Sequence, residues 1–200
     1  RASIWFEQNG MIREAIQSAL NAEDQQHAIS LLQIHAEALL LSGKYDTFLQ
    51  FIAALDPNYG KQAPILMVYR VVAMLFSEYS QQSIMDALNQ AESQIPKGKL
   101  TGEIGAIKAV IHGYAADPEE GIALSKKALE KICSKHTFFR NLVERNLGVA
   151  YILRNDLVNA TPWFEQLLLS SFELGDWGGV LAAYNYLTFI RKVQGRLKEA

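Results

Sequence analysis

At 200 residues the chain is long enough for one large domain or two small ones, and half of it is apolar against a fifth charged. Leu supplies 25 residues and Ala 24, while Val and Thr together supply only 14, so the chain is expected to be helical, with enough length to bury a core. This excludes a β-sandwich, a collagenous chain, a disordered tail and a disulfide scaffold, the last because Cys133 is the only cysteine. Net charge is −2, and the densest basic group, Lys126, Lys127 and Lys131, is diluted by Glu130. Phosphate neutralisation needs more than that, so no direct nucleic-acid contact is expected.

A phrase recurs along the chain: a turn residue, four residues, then a small or apolar residue on a helix. It runs Gly10 to Ala15, Gly43 to Phe48, Gln82 to Ala87, Ala116 to Gly121, Asn155 to Ala160 and Gly195 to Ala200. The closing positions are 33, 39, 34, 39 and 40 residues apart. Further along the same face stand Ala19 and Ala22, Ile52 and Leu55, Ser125 and Ala128, Phe164 and Leu167. An apolar stripe precedes the phrases too: Ile29, Leu32, Ala36 and Leu39; Leu66, Val72, Leu75 and Phe76; Leu142, Leu147 and Tyr151. Each unit therefore reads as helix, tight turn, helix, over residues 1–22, 24–56, 63–95, 100–133, 137–174 and 177–200.

Punctuation agrees with the units. Asp117-Pro118-Glu119-Glu120 offers an N-cap, a proline at the first helical position and acids in the first turn. Asp56-Pro57 and Ile95-Pro96 close helices, with turn-rich links at 56–63 and 96–101. Pro162 is expected to kink its helix or to delay its start. The longest uncharged run, Trp177 to Ile190, is too short to span a bilayer. The chain opens on Arg1 inside a helical pattern and stops on Ala200 as another begins, so a longer parent is expected.

Such units bury their apolar faces only by stacking, so the expected fold is all-α, a solenoid of five to six antiparallel helix pairs treated as one domain. The best unit resembles a tetratricopeptide repeat (TPR). Leu147-Gly148-Val-Ala-Tyr151 followed by Ala160 and Phe164 matches its pattern, with Glu144 where the pattern has Trp and Leu167 where it has a later Ala. The TPR resemblance implies a right-handed superhelix. In it the first helix of each unit lines the concave face. Counting from Gly148, that face holds Leu142, Arg145, Val149 and Ile152, then Ala182, Asn185, Phe189 and Lys192, and earlier Tyr69, Val72, Phe76 and Tyr79. An apolar, aromatic surface with a few polar groups suits a peptide, a protein helix or a small ligand. Packing against the next repeat is the competing role for the same residues.

The wording of the chain also resembles the helical-repeat region of MalT-like, LuxR-type transcriptional regulators. The resemblance rests on Arg1-Ala-Ser-Ile-Trp5-Phe6-Glu-Gln-Asn-Gly10 with Glu14-Ala-Ile-Gln-Ser-Ala19-Leu20. It continues through Asp117 to Glu130, Phe138-Phe-Arg140, Asn146 to Tyr151 and Gly195 to Ala200, in that order. It implies a non-catalytic sensor segment of a cytoplasmic parent. An ATPase would precede the segment, a helix-turn-helix would follow it, and the parent would self-associate when active. The implied partner is a protein or a small-molecule inducer. A TPR adaptor unconnected with transcription is the alternative.

Residues for catalysis are not assembled by the sequence. Gly98-Lys99-Leu100-Thr101 lacks both the upstream glycine and the hydroxyl that a phosphate loop needs. His27, His35, His112 and His136 have no metal spacing, and Cys133 with His136 shows no orienting third group. No catalytic residue, cofactor or metal is expected.

Overall fold

The computed structural model describes residues 2–114 and 117–196, and every regular element among them is a helix. Contacts gather the chain into two compact units, residues 1–99 and 100–200. The first holds α1 (Ala2–Gln8), α2 (Ile12–Asn21), α3 (Gln25–Leu41), α4 (Tyr45–Ala53), the single turn α5 (Tyr59–Gln62), α6 (Pro64–Leu75) and α7 (Gln81–Gln94). The second holds α8 (Thr101–Tyr114), α9 (Pro118–Leu129), α10 (Thr137–Leu153), α11 (Leu157–Leu174) and α12 (Trp177–Val193). Both units are repeat-like, because their helices come in the short-linked pairs that the recurring phrase predicts.

The links show why the phrase is readable. After α3, Gly43 takes φ +70°, and the next N–H, that of Lys44, returns 3.0 Å to the Leu39 carbonyl. That arrangement satisfies two orphan carbonyls of the finished helix. Where the following residue is Asp, it also starts the next helix. Asp156 donates its N–H to Tyr151 O at 2.9 Å, and its carboxylate accepts the Asn159 N–H at 3.1 Å. Asp24 and Asp176 repeat the device at α3 and α12. Asp117 caps α9 by accepting the Glu120 N–H, with Pro118 at the first helical position.

The closing residues of the phrase are the helix–helix contacts. Ala15, Phe48, Ala87, Gly121 and Ala160 are all buried, as are Ala19, Ile52, Ser125 and Phe164 four residues on. Ala116 and Ala200, which belong to two of the phrases, lie outside the described residues. Ala22 departs from the expectation: it ends α2 at the surface. In the first unit α6 is the central element, buried from Leu66 to Tyr69 and from Val71 to Met74 and packed against α3, α4, α5 and α7. In the second, α10 is central, packed against α8, α9 and α11.

Two expectations are corrected. The link at 56–63 is not all loop: Tyr59 and Gly60 are buried in the turn of α5. Of the two outcomes expected at Pro162, the later start does not occur, since α11 begins at Leu157 and continues through it to Leu174. The carbonyl it frees is that of Val158, a residue 77 % exposed, where water can replace the lost bond.

Gly148 fits tightly in the second unit. A Cβ there would stand 2.5 Å from the Phe164 ring, whereas one on Gly105 would meet only the Ala128 Cβ at 3.4 Å. Gly148→Ala is therefore expected to destabilise the protein by about 1–3 kcal/mol through overpacking. Gly105→Ala is expected to be neutral or to stabilise by up to about 1 kcal/mol, through helix propensity. Thermal and urea unfolding of the two variants measure the contrast, and equal effects would refute the close-contact account.

Candidate functional site

The second unit contains a cleft of about 140 Å³ between α8, α10 and α12. Val110 and Gly113 come from α8, Leu142, Arg145, Asn146 and Val149 from α10, and Ala182 and Tyr186 from α12. Its floor is fixed by Asn146, whose side-chain amide donates to Ala109 O at 2.9 Å and to Ser125 Oγ at 3.0 Å. Gly113 makes room for that amide, since a Cβ there would collide with Asn146 Oδ1. Tyr186 is held by Phe164, the two rings stacking at 4.6 Å between centroids. Arg145 is half-buried on the wall and brings a permanent positive charge to a recess of mixed polar and apolar lining. The recess can take an apolar side chain, with an acidic or hydroxyl neighbour at its mouth.

Beside the cleft-lining face of α10, its contact with α11 carries a buried polar layer. Asn141 donates to Ser171 Oγ at 3.1 Å and accepts from Ser170 Oγ at 2.7 Å. Glu144, the residue at the TPR Trp position, is buried in the same layer, and its Oε2 has no hydrogen-bond partner. Burial pushes its carboxyl up to about 7, while the Arg140 charge pulls it down.

The residues expected on a concave face divide. Leu142, Arg145, Val149 and Ala182 converge on the cleft. Ile152 is half-buried on α10, and Asn185, Phe189 and Lys192 are exposed on α12, all outside the lining. In the first unit the expected surface does not form as one face. Tyr69 is buried, with its hydroxyl donating to Glu37 Oε2 at 3.1 Å, and Val72 is fully buried. Phe76 stacks on Tyr45 at 5.4 Å, and Tyr79 is exposed. Val110, Gly113, Asn146 and Tyr186 were not expected in the site. The repeat step finds one of them, because Val110 stands 39 residues before Val149, the interval between Gly121 and Ala160.

A larger cavity, of about 750 Å³, lies in the first unit and was not anticipated. It is lined from α1, α2 and α3 with Gln62, and its polar groups include Ser18, Gln26, His27, Ser30 and Gln33. Elsewhere, His136 gains an orienting group that the sequence did not reveal, with Glu103 Oε1 2.6 Å from its Nδ1 and itself buried. Cys133 is exposed in the same turn, and its carbonyl accepts the His136 N–H. Among the described residues, no three His, Cys, Asp or Glu side chains come together to hold a metal ion, and no helix is long and apolar enough to cross a membrane. Comparisons with family models, curated proteins and solved structures gave no match to this chain.

Glu144 makes stability pH-dependent with a defined sign. Its folded value of about 7 lies above the ordinary 4.5, so the fold prefers the neutral acid. The contribution is present in full below the ordinary value and is lost as pH rises through about 7. Glu144→Gln is expected to stabilise the protein by about 1–3 kcal/mol at pH 8 and by almost nothing at about pH 4. Urea titrations at the two pH values measure it, and a pH-independent difference would exclude the buried-acid account.

Proposed function

We propose that this chain is the non-catalytic sensor and interaction segment of a MalT-like, LuxR-type transcriptional regulator, built from TPR-like repeats. In this reading it binds a partner protein or a small-molecule inducer and so controls ATP-dependent activation by a cytoplasmic parent. The family wording along the chain supports the regulator part. The observation that carries the binding part is the cleft, because residues placed on one face by repeat register alone, Leu142, Arg145, Val149 and Ala182, line a single recess. Its size suits one anchoring side chain of a protein partner. The larger first-unit cavity falls in the range of small-ligand sites and is the seat for an inducer, if the signal is a small molecule.

The sequence around the coding region tests the parent. A phosphate-loop motif upstream and a helix-turn-helix downstream are expected, and their joint absence would leave the alternative, a TPR adaptor unrelated to transcription. Thermal shift separates the two kinds of signal. A metabolite that binds the folded state raises Tm with its free concentration. Val149→Trp fills the small cleft and is expected to weaken a protein partner by about tenfold or more while leaving metabolite stabilisation intact. Equal loss of both would refute the assignment of the two seats.

A further inference from the structure

One face of α10 carries Asn141, Glu144 and Gly148, at steps of three and four residues. Asn141 is bonded to Ser170 and Ser171 of α11, and Gly148 lies beneath Phe164. Glu144 stands between these two contacts and is 4 % exposed. The repeat does not require an acid there. The 40-residue step of the phrase sets Leu181 and Tyr184 of α12 at the positions of Asn141 and Glu144, and the TPR pattern has Trp at the second.

The donors of the layer are committed elsewhere. The single Ser170 hydroxyl proton serves Asn141 Oδ1 at 2.7 Å and the Gln166 and Leu167 carbonyls of its own helix. The Asn141 amide donates to Ser171 Oγ. Among the described residues, Glu144 Oε2 has no hydrogen-bond partner. Arg140, half-buried one turn earlier on α10, is the charge that acts on it. On α11, Glu165 and Glu173 are exposed, and α12 carries no charged residue before Arg191. On α9, Glu119 pairs with Arg154, and Lys126 lies over the Tyr151 ring. His112 of α8 faces Glu120, and His136 faces Glu103 of α8. An ionised carboxylate buried without a partner keeps its desolvation cost, whereas the neutral acid loses far less. The closed α10–α11 contact therefore selects the protonated form.

The same contact reaches the cleft. Gly148 is one turn from Glu144, Phe164 rests on it, and that ring stacks on Tyr186 of the cleft wall. Leu142, Arg145 and Val149, on the adjoining side of α10, form the opposite wall. We propose that Glu144 is a proton-operated latch for the cleft. With the acid protonated, α11 closes on α10, and the Phe164–Tyr186 stack holds the wall. With the acid ionised, α11 lifts to admit water to the carboxylate, and the wall moves with Phe164. Use of the latch in sensing rests on the cleft being the partner's seat, as proposed above. The latch itself is read without a partner.

Hydrogen exchange and NMR of the 200-residue chain between about pH 5 and pH 9 test it. After correction for intrinsic exchange, opening of the α11 amides is expected to rise about tenfold from pH 6 to pH 8. The α6 amides of the first unit, which hold no part of this layer, are expected to change less than about twofold. The Val149 methyl and Tyr186 ring signals are expected to titrate together with α11. Glu144→Gln is expected to abolish both responses, which separates Glu144 from His112 and His136. Glu165→Gln, on the exposed side of α11, is expected to leave both in place. In Tyr186→Leu, α11 is expected to keep its pH response and Val149 to lose it. Circular dichroism checks that each variant is folded. An α11 whose protection is flat with pH, a change shared equally by α6, or a titration that survives Glu144→Gln overturns the proposal. A latch that operates while no partner enters the cleft counts against the proposed seat alone.

Discussion

The second unit depends on one contact, the ring of Phe164 lying on the bare backbone of Gly148. No side chain fits between them, since a Cβ at Gly148 would fall inside the ring's van der Waals surface. That contact sets how closely α11 approaches α10. Phe164 also stacks with Tyr186, so the same ring joins α10 to α12. The cleft is bounded by Val149 and Leu142 on one side and Tyr186 and Ala182 on the other, and its width follows from that stack. A packing residue that never lines the cleft therefore sets its dimensions. Interiors are dense enough to transmit such a constraint without slack.

The short links supply the second constraint. A left-handed residue followed by a capping Asp ends one helix and begins the next within two or three residues. A chain turned so sharply brings the next helix back against the one it has left. At the α10–α11 link the left-handed position is Asn155 at φ +59°, a residue type that tolerates it better than most. At α2–α3 it is Glu23 at φ +56°, which gains nothing from its side chain there. The link geometry is thus kept where the residue best suited to it is absent, and stacking of the paired helices holds it in place.

These two constraints explain what could be read from the sequence and what could not. Local features were legible. Small residues at fixed steps, such as Ala15, Ala19 and Ala160, foretold buried contacts because helical period and close approach are written in neighbouring positions. The Asp117 cap and the Gly148–Phe164 pair were legible for the same reason. Features that join distant residues were not. Nothing near Glu103 indicates that it meets His136, and nothing near Asn146 indicates Ser125 and the Ala109 carbonyl. The first-unit cavity escaped as well, because a cavity is a failure of helices to meet, and periodicity describes only where they do. Tyr69 and Val72 misled for a related reason: the face expected to line a groove in α6 is buried among α3, α4, α5 and α7.

The contrast between α10 and α12 turns this into a statement about what each helix is for. At matching positions α10 carries Asn141 and Glu144, and α12 carries Leu181 and Tyr184. Buried polar groups cost stability unless they are paired, so a face bearing them commits to a partner whose hydroxyls are already in place. α11 supplies Ser170 and Ser171 through a short link. Even there the pairing is incomplete: one oxygen of Glu144 has no hydrogen-bond partner, and burial raises its carboxyl. An apolar face makes no such demand. It can stand in water at modest cost, and it gains from any surface of matching shape. Polar residues on α10 thus fix an interaction within the chain. Leu181 and Tyr184 place no such demand on the equivalent surface of α12.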